Sequence, residues 1–438
     1  MNTFITIFKL GVKYLHRYRR RYIFLLAVLI FGFTIVTFIT STKDGMYNNA
    51  YFSAQSHYAG DIVAVGYNSE FAQDYAHHLG EYEISTILMS VELSGIDPQY
   101  TVLRTIFGSN SILHFNGFSI QLKNLIGCDW DNESHIFDKM TFEEIPESDF
   151  GDDGIIISEP IARQLGAKMG DRLILEVETR FYQKNTGQFI VRGIVRDSSI
   201  FGYYKAYISR LSLNQLALYN DIDCSTIGFF LKDPASAEKK RTVLQTFLSD
   251  ELQTGPLVYD REGLDRERNT SWDGTLVFLY TMPVYLSEVA DLLDAMNIIT
   301  YFIYGMMLII ILVSATVTYR LILHERAREM GIMRVIGFYG GDIRLVLWTE
   351  IIILGLISII AGFSLARLLS LAVSFLSFSW FPGFEIFLKN ERLIATYEIN
   401  STLINITSIF IILIMMSFVP SFLVSRKNLP ALLAGEPI

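Results

Sequence analysis

The amino-acid sequence predicts a membrane protein with four transmembrane α-helices and a large α+β domain between the first and the second helix. Three observations support this fold class. Hydrophobic residues make up 51% of the 438 residues and the mean hydropathy is +0.34, values that are high for a soluble protein. Four apolar runs reach the roughly 20 residues that cross a bilayer. A long segment of mixed, acidic sequence separates the first two runs.

Residues 1–21 precede the first apolar run and contain basic residues but no acidic one. Their apolar residues recur at helical spacing, which predicts an amphipathic cytoplasmic helix at the membrane surface. A helix that only follows the rule that Lys and Arg stay in the cytoplasm fits equally well. A cleaved signal peptide would also combine basic and apolar regions, but here the apolar run is long and no small-residue cleavage site follows it.

Basic residues flank the apolar runs so that both termini and the loop after the second run are predicted to be cytoplasmic. The third run is long enough for two crossings, but a second crossing would place the basic tail outside and no turn residue divides the run. We therefore predict one long helix with an outer extension, ended by Trp380, Phe381 and Pro382. The predicted segments are spans at 22–42, 298–319, 345–384 and 403–424, an outer loop at 385–402 and a cytoplasmic tail at 425–438.

Residues 43–282 are predicted to form the domain outside the cytoplasmic membrane, and a helical stalk at 283–297 leads from it into the second span. This domain more than accounts for the net charge of −9, so nucleic acid is not an expected partner. Cys128 and Cys224 both lie in it, and the sequence leaves open whether they pair.

The middle of this domain has an α+β pattern. Residues 154–158 are predicted as a strand, followed by a helix that Ser158 caps and Gly166 ends. Asn185-Thr-Gly187 predicts a hairpin turn. Residues of about 70–150 lack a comparable pattern, and we expect a second subdomain there, inserted into the core.

Two charged clusters of the domain are predicted to be ordinary surface. Asp129, Asp131 and Glu133 resemble the start of a calcium loop, but the required Gly and the final Glu are missing, which favours an acidic surface turn. Lys239, Lys240 and Arg241 are expected on the solvated face of a helix.

The sequence contains none of the common catalytic motifs. There is no Gly-rich loop ending in Gly-Lys-Ser/Thr to hold nucleotide phosphates, no His-Glu-x-x-His and no Gly-x-Ser-x-Gly. The adjacent His77 and His78 would point in different directions on a helix, so we predict no metal site there. We expect no enzymatic activity, no catalytic residue and no cofactor in this chain.

The charged loop at 320–344 is longer than two antiparallel helices require. Its residues Glu325 to Ile336 predict a short helix with an apolar and a charged component. Such a helix suits the groove of another protein, or it lies among the lipid headgroups.

The order of residues in this loop resembles the FtsX/MacB/LolCDE-type permeases of ABC transporters, and the exported segment resembles the MacB-like periplasmic core. In the loop the resemblance rests on Glu325, Arg326, Arg328, Glu329, Gly331, Ile332, Arg334, Gly337 and Asp342. In the core it rests on Ser158, Glu159, Ala162, Leu165, Gly166, Gly170, Asp171, Gly187, Val191, Gly193, Ile194 and Val195. It implies the type VII ABC permease fold and assigns the loop residues to coupling with an ATPase.

The resemblance also singles out three residues of the third span. Glu350 is expected to be solvated near the inner surface or to pair with an arginine such as Arg344. Gly355 and Gly362 are expected to permit close helix packing. The turn Phe338–Gly341 departs from the family, which commonly has basic residues there, and suggests an aromatic plug.

The family implies a permease subunit in the bacterial cytoplasmic (inner) membrane, where two copies of an ABC ATPase subunit bind the ATP. A second permease copy or a paralogue completes the transporter, and an outer-membrane lipoprotein carrier is a further partner that the family allows. The expected function is to couple ATP hydrolysis to mechanical work in the periplasm, with lipoprotein release from the membrane as the first choice. The alternatives are MacB-like export of a peptide or small molecule, and an FtsX-like regulator of cell-wall hydrolases that moves no substrate.

Overall fold

The computed structural model describes residues 13, 15, 17, 19–69, 78–108, 111–143, 150–196, 204–268, 272–378, 387–389 and 391–426. The chain divides into two units. The helical unit comprises Met1–Tyr47, Leu293–Ser377 and Arg392–Ile438, and the sheet unit comprises Asn48–Leu292 and Phe378–Glu391. Most of the predicted amphipathic helix at 1–21 and of the tail at 425–438 lies outside the described residues.

Helices and strands alternate through the sheet unit, and long helices form the helical unit. In chain order the described elements are α1 (Arg19–Tyr58), β1 (Ile62–Asn68), α2 (Glu81–Leu93), β2 (Pro98–Phe107), β3 (Ile112–Phe115), β4 (Phe118–Gln121), β5 (Asn124–Cys128), α3 (Ser134–Phe137), β6 (Gly154–Ser158), α4 (Glu159–Leu165), β7 (Arg172–Glu178), β8 (Lys184–Val195), β9 (Lys205–Ser209), α5 (Arg210–Ala217), β10 (Thr226–Leu231), α6 (Ala237–Leu248), α7 (Arg261–Arg268), β11 (Thr275–Thr281), α8 (Met282–Glu325), α9 (Ala327–Val335), α10 (Gly340–Ser374) and α11 (Ile399–Arg426).

Among the described residues, four helices are long and apolar enough to cross a membrane, as predicted. The candidate spans are Tyr22–Tyr58, Ala290–Glu325, Gly340–Ser374 and Ile399–Phe422. Helix α1 continues well beyond the predicted end of the first span at residue 42, because no proline interrupts it, and it ends before Ala59, which has φ +63°. Helix α8 runs without a break through the predicted stalk.

The third long helix is shorter at its far end than predicted. Helix α10 ends at Ser374 rather than at Phe384, because the chain turns back and Ser377 pairs with Arg392 in an isolated β-bridge. The predicted terminators Trp380, Phe381 and Pro382 lie outside the described residues.

The sheet unit is built on a mixed sheet. Within the described residues the strand order is β11-β1-β10-β2-β5-β9-β6-β8-β7-β3-β4. The pairs β5/β9 and β6/β8 are parallel, and the other neighbouring strands are antiparallel. We expected an inserted subdomain at residues of about 70–150, but β2 and β5 from this region lie in the middle of the one sheet, where they join its two halves.

Two local predictions in the sheet unit were wrong in detail. The β7–β8 hairpin turns at residues 179–183, because the hydroxyl oxygen of Thr179 accepts from the backbone N–H groups of Phe181 and Gln183. Asn185 and Gly187 are therefore strand residues paired with β7. Ser158 occupies the cap position of α4, but its side chain makes no capping bond, whereas Gly166 ends the helix in the left-handed conformation, as predicted.

A buried arginine lies at the centre of the sheet unit. Arg104 on β2 is fully buried and donates to the Glu133 carboxylate from Nε at 2.9 Å and from Nη2 at 2.5 Å. Its Nη1 donates to the carbonyl oxygens of Ser56 and His57 at 2.8 and 2.9 Å, at the C-terminal end of α1. Glu133 is thus buried rather than part of an acidic surface turn, because it compensates the charge of Arg104.

Arg241 was likewise predicted on a solvated face and is fully buried. Its guanidinium donates to the carbonyl oxygen of Val258 at 2.7 Å and pairs with Glu238. Cys128 and Cys224 are free thiols, both buried, and they pack in different hydrophobic clusters.

Candidate functional site in the elbow between two apolar helices

The chain bends sharply between α8 and α10, and we call residues 326–339 the elbow. Helix α8 ends at Glu325 because Arg326 leaves the helical conformation, with φ −100° and ψ 5°. The backbone N–H of Arg326 still donates to Ile322 and Leu323, and its carbonyl oxygen accepts from Met330 at 3.1 Å. The direction of the chain therefore changes at Arg326 without loss of backbone hydrogen bonds. The elbow is shorter than the predicted loop at 320–344, since both flanking helices extend into it.

Gly337 ends the short helix α9. It has φ +104°, a conformation that residues with a side chain rarely adopt. The backbone N–H of Phe338 donates to Met333 and that of Gly337 donates to Arg334, both at 3.1 Å, which is the Schellman pattern of helix ends. The side chains of Met333 and Phe338 both pack against the core of the helical unit.

Asp342 caps the start of the next helix, α10. Its Oδ2 accepts from the backbone N–H of Tyr339 at 3.0 Å, so the carboxylate caps α10. Gly340 and Gly341 are already helical, and the predicted aromatic turn therefore reduces to Phe338 and Tyr339. Phe338 is half-buried in the core, whereas Tyr339 is 81% exposed. Only one of the two aromatic residues thus acts as a plug.

Helix α9 has two different faces. Ala327, Met330 and Met333 are buried, and the two methionines pack in the core of the helical unit. The opposite side exposes an apolar group, which we call the outer face of α9. It consists of Ile332, Val335, Ile336 and the following Tyr339. Glu325 and Arg328 are exposed beside it.

The side chain of Arg326 turns inward and joins three helices. Its Nη1 and Nη2 donate to the two carboxylate oxygens of Glu350 on α10 at 2.7 and 3.2 Å. Nη1 also donates to the hydroxyl of Tyr22 on α1 at 2.5 Å, and that hydroxyl donates to Glu350 at 2.5 Å. All three side chains are almost completely buried. We call them the buried triad.

Charge compensation explains why this arginine tolerates burial. Burial by itself lowers the pKa of Arg326, but the Glu350 carboxylate more than offsets this and the pKa is raised. A second carboxylate, that of Glu329, lies 3.6 Å from Nε. The guanidinium therefore stays protonated at the bend of the chain.

The partner expected for Glu350 was wrong. Glu350 is neither solvated nor paired with Arg344; it is fully buried against Arg326. The guanidinium of Arg344 lies 5.8 Å from the ring centroid of Phe422 instead. Arg326 comes 24 residues before Glu350, and this pairing follows only from the packing of α10 against the elbow.

Gly355 and Gly362 mark two close helix contacts along α10. A Cβ atom at Gly355 would lie 2.4 Å from the Leu413 side chain on α11. A Cβ atom at Gly362 would lie 2.9 Å from Phe33 and 3.0 Å from the carbonyl oxygen of Ile30, both on α1. Each glycine thus permits an approach that a larger residue would prevent.

The predicted site residues therefore fall into groups with different environments. Arg326, Glu329 and Glu350 lie together around the buried triad. Ile332 lies on the outer face of α9, with Glu325 and Arg328 exposed beside it. Gly331 is buried and Arg334 is half-buried. Gly337 and Asp342 shape the ends of helices.

Tyr22 was not among the predicted site residues. The one signal in the sequence was a polar-tipped aromatic residue at the first position of an apolar run, which is common at membrane interfaces. In the described part of the chain no group of three or more His, Cys, Asp or Glu side chains is placed to hold a metal ion. His77 lies outside the described residues, and His78 pairs with Asp223 at 3.0 Å.

A family model matches part of the helical unit. Residues 301–429 match the family model for the FtsX-like permease C-terminal domain, and this range includes the whole elbow. No curated protein matches the sequence.

Two solved structures are similar to part of the chain. The periplasmic region of MacB from Actinobacillus actinomycetemcomitans has 14% sequence identity and a TM-score of 0.31, and the match covers 52% of this chain and 91% of that chain. A domain of a protein designated a permease, from Porphyromonas gingivalis, has 15% identity and a TM-score of 0.27, with 50% and 86% covered.

Proposed function

We propose that this FtsX/MacB-type ABC permease subunit binds a separate ATPase through the outer face of α9, and that the buried triad passes movement of the elbow to the membrane helices. One observation carries the proposal. Arg326 lies where the chain bends, and its side chain binds Tyr22 on α1 and Glu350 on α10. A residue in this position connects the orientation of α9 to two other helices.

The outer face of α9 supports the docking step. Ile332, Val335, Ile336 and Tyr339 expose apolar side chains at helical spacing on a short helix whose other face is fixed in the core. A rigidly held helix with one exposed apolar face suits a groove on another protein. The sequence contains no phosphate-binding loop, which supports the entry of ATP energy through contact with a separate ATPase.

The buried triad supports the transmission step. Breaking a buried ion pair by removing one partner costs about 3–5 kcal/mol, because the remaining charge is left without compensation. A shift of α9 that kept Arg326 in place would strain the elbow, whereas a shift that carries Glu350 and Tyr22 along keeps every hydrogen bond. Movement of α9 is therefore expected to displace α1 and α10 together.

We further propose that the work done is lipoprotein release from the bacterial cytoplasmic membrane, with the elbow on the cytoplasmic side. The complete transporter would contain two ATPase copies and a second permease copy or paralogue, and would deliver to an outer-membrane lipoprotein carrier. The pairing of Glu350 supports a device that acts at the outer leaflet, because this intramembrane charge is neutralised and does not line a polar pathway.

The docking step is tested with Ile336→Asp, which places a charge on the outer face of α9 without disturbing the core. We expect co-purification with a co-expressed P-loop ATPase partner to fall at least about tenfold, because a charge buried at an apolar interface costs more than about 1.4 kcal/mol. The matched control is Ile222→Asp, which adds the same charge at a half-exposed isoleucine of the sheet unit. Gly331→Pro, which breaks α9 itself, should also abolish binding.

Equal binding by the Ile336→Asp and Ile222→Asp variants would exclude the outer face as the docking surface. If Gly331→Pro alone abolished binding, the elbow would matter to the complex only through its fold. Insertion into the membrane is expected for all three variants, since none changes a membrane span.

The substrate is tested by ATP-dependent release of a lipoprotein from proteoliposomes that contain the permease and its ATPase. We expect release into solution only when a periplasmic carrier is present. Release of a dye or peptide instead of lipoprotein would favour the MacB-like alternative. Activation of a cell-wall hydrolase with no release of any substrate would favour the FtsX-like regulator.

A further inference from the structure

An arginine between two aromatic rings lies at the end of α10 that is far from the elbow. The guanidinium of Arg367 lies 5.6 Å from the ring centroid of Phe363 and 5.2 Å from that of Tyr397. The two rings also contact each other edge to face, with centroids 5.4 Å apart. Together these three residues form what we call the arginine cage.

The cage is held in position by α10 itself. Phe363 lies one helical turn before Arg367, and Ser370, nearly one turn after it, forms a 2.8 Å hydrogen bond with the hydroxyl of Tyr397. This bond fixes the second ring beside the guanidinium. The arginine is therefore restrained before any ligand arrives, which reduces the entropy lost on binding.

The position of the cage corresponds to a headgroup layer. Arg367 follows Glu350 by 17 residues of helix, or about 25 Å at 1.5 Å per residue. The hydrocarbon core is about 30 Å thick. Glu350 binds Arg326 at the elbow end of α10. If that end meets one membrane surface, this helix length would bring Arg367 near the opposite one.

Among the described residues, none compensates the charge of Arg367. Within the described residues no side-chain or backbone oxygen accepts a hydrogen bond from its guanidinium, and no carboxylate pairs with it. Lys43, another cation of the helical unit, differs because it pairs with Asp44 at 2.8 Å. The side chain of Arg367 is exposed, so its donors are open to a ligand.

Guanidinium chemistry defines what the cage selects. Aromatic rings contact the guanidinium, whereas its N–H donors point outward in the plane of the group. That geometry matches two oxygens of a phosphate, and phosphate is the anion present in phospholipid headgroups. We propose that the arginine cage binds a phosphate group, presented by a phospholipid headgroup or free in solution. This site is separate from the elbow and does not depend on the ATPase.

The test uses the full chain purified in phospholipid-free detergent, with native mass spectrometry to count bound molecules. The probes are short-chain phosphatidylglycerol, the diacylglycerol with the same acyl chains, and inorganic phosphate. We expect phosphatidylglycerol to bind and diacylglycerol to bind at least about tenfold more weakly, because only the first offers charged hydrogen-bond acceptors. Competition by inorganic phosphate would identify a phosphate site open to solution, and its absence would identify the lipid as the ligand.

Single substitutions distinguish binding by the arginine cage from binding by positive charge alone. Arg367→Gln should weaken phosphatidylglycerol binding by about tenfold, and Arg367→Lys, which keeps the charge but loses the planar fork, by a few-fold. Tyr397→Leu removes one ring and should also weaken binding by a few-fold. Arg392→Gln is the matched control, because Arg392 is an exposed arginine of the helical unit without an aromatic partner among the described residues. The affinity of the Arg392→Gln variant for phosphatidylglycerol should stay within about twofold of that of the unmodified chain.

Equal effects of Arg367→Gln and Arg392→Gln would overturn the proposal, and so would equal binding of phosphatidylglycerol and diacylglycerol. Thermal unfolding of each variant in the same detergent distinguishes lost affinity from lost structure. Loss of binding by Arg367→Gln at an unchanged unfolding temperature supports the site.

Discussion

Residues near the two ends of helix α1 each bind a buried arginine from another part of the chain. The two sites differ in what else the arginine binds. Near its start, Tyr22 belongs to the buried triad with Arg326 and Glu350. At its end, the carbonyl oxygens of Ser56 and His57 accept hydrogen bonds from Arg104, which Glu133 neutralises. The first site lies in the helical unit and the second in the sheet unit.

The two arginines serve different purposes. Arg326 donates to side chains of two other helices, so its partners depend on how the helices are placed. Arg104 donates to main-chain carbonyls that a helix end leaves without partners, so it completes the secondary structure. The triad links separate helices, whereas the Arg104 site closes the end of a helix against a sheet. Substitutions should therefore affect coupling at the first site and folding at the second.

The largest effect is expected for Arg104→Leu. It leaves Glu133 buried without compensation and removes the bonds to the end of α1, so we expect the sheet unit to lose about 3–5 kcal/mol of unfolding free energy. The nearby Cys128 reports this change: burial raises the pKa of its thiol well above the ordinary value, and it should resist maleimide at a pH of about 8 in the unmodified chain. Labelling of Cys128 in a Cys224→Ser background, detected by mass, measures the opening.

The control for that prediction is Arg163→Leu. Arg163 is 76% exposed in its surface pair with Glu159, and such pairs contribute little to stability. In the same Cys224→Ser background, Cys128 should remain unlabelled in the control, because its burial is unchanged. Equal labelling of Cys128 in both variants would show that the Arg104 pair does not hold the sheet unit together.

An intermediate effect is expected for Arg326→Gln. It leaves Glu350 buried without its cation, but the Gln amide can still donate a hydrogen bond to the carboxylate. We therefore expect a loss of about 2–4 kcal/mol in the helical unit, somewhat below the ~3–5 kcal/mol for complete loss of a partner, together with at least about tenfold slower ATP-dependent work. Co-purification with the ATPase should persist, because the outer face of α9 is unchanged. The measurements are thermal unfolding and substrate release at matched ATPase occupancy.

The double variant Arg326→Met with Glu350→Leu separates stability from coupling. Apolar replacement of both partners of a buried pair is often neutral for stability. We expect its unfolding temperature to recover while release stays low. Recovery of both would mean that the triad only supports the fold. Arg344→Gln is the control, since Arg344 lies near the elbow but outside the triad.

The smallest effect is expected for Tyr22→Phe. It keeps the ring in the core and removes one hydroxyl that both accepts from Arg326 and donates to Glu350. A single hydrogen bond to a charged group contributes about 1.5–3 kcal/mol, and the direct Arg326–Glu350 bonds remain. We expect a loss of stability near the lower figure and a few-fold reduction of release, measured as for Arg326→Gln. A loss as large as that of Arg326→Gln would make the hydroxyl the principal link to α1.

The long apolar spans and the short helix α9 were predicted correctly from local sequence, whereas the β7–β8 turn and the Ser158 cap were not. Four apolar runs gave four candidate spans, because crossing a membrane requires a hydrophobic stretch that composition alone reveals. The short helix α9 was predicted within two residues at each end, since Gly337 marks its end and charged residues mark its start. Helix lengths at the far ends of the spans were less predictable, because Ser377 pairs with a residue from the next segment of the chain.

Buried charges were the systematic error. Glu133 and Arg241 were expected at the surface, and Glu350 was expected to be solvated or paired with Arg344. All three are buried, and each has a partner of opposite charge. Charged residues are rarely buried without a partner, so exposure was the reasonable expectation for each. What permits burial is a counter-charge that lies elsewhere in the fold.

Local sequence was sufficient to predict the spans from apolar length. The order of charged residues and glycines in the elbow indicated a resemblance to FtsX-like permeases, and residues 301–429 match that family model. Which charges meet depends on the packing of the helices. Arg326 is 24 residues from Glu350 and 304 from Tyr22, and no local rule relates such distances. Gly355 and Gly362 permit the close helix packing that surrounds these residues. Inside such packing a charged side chain is tolerated only where an opposite charge lies beside it.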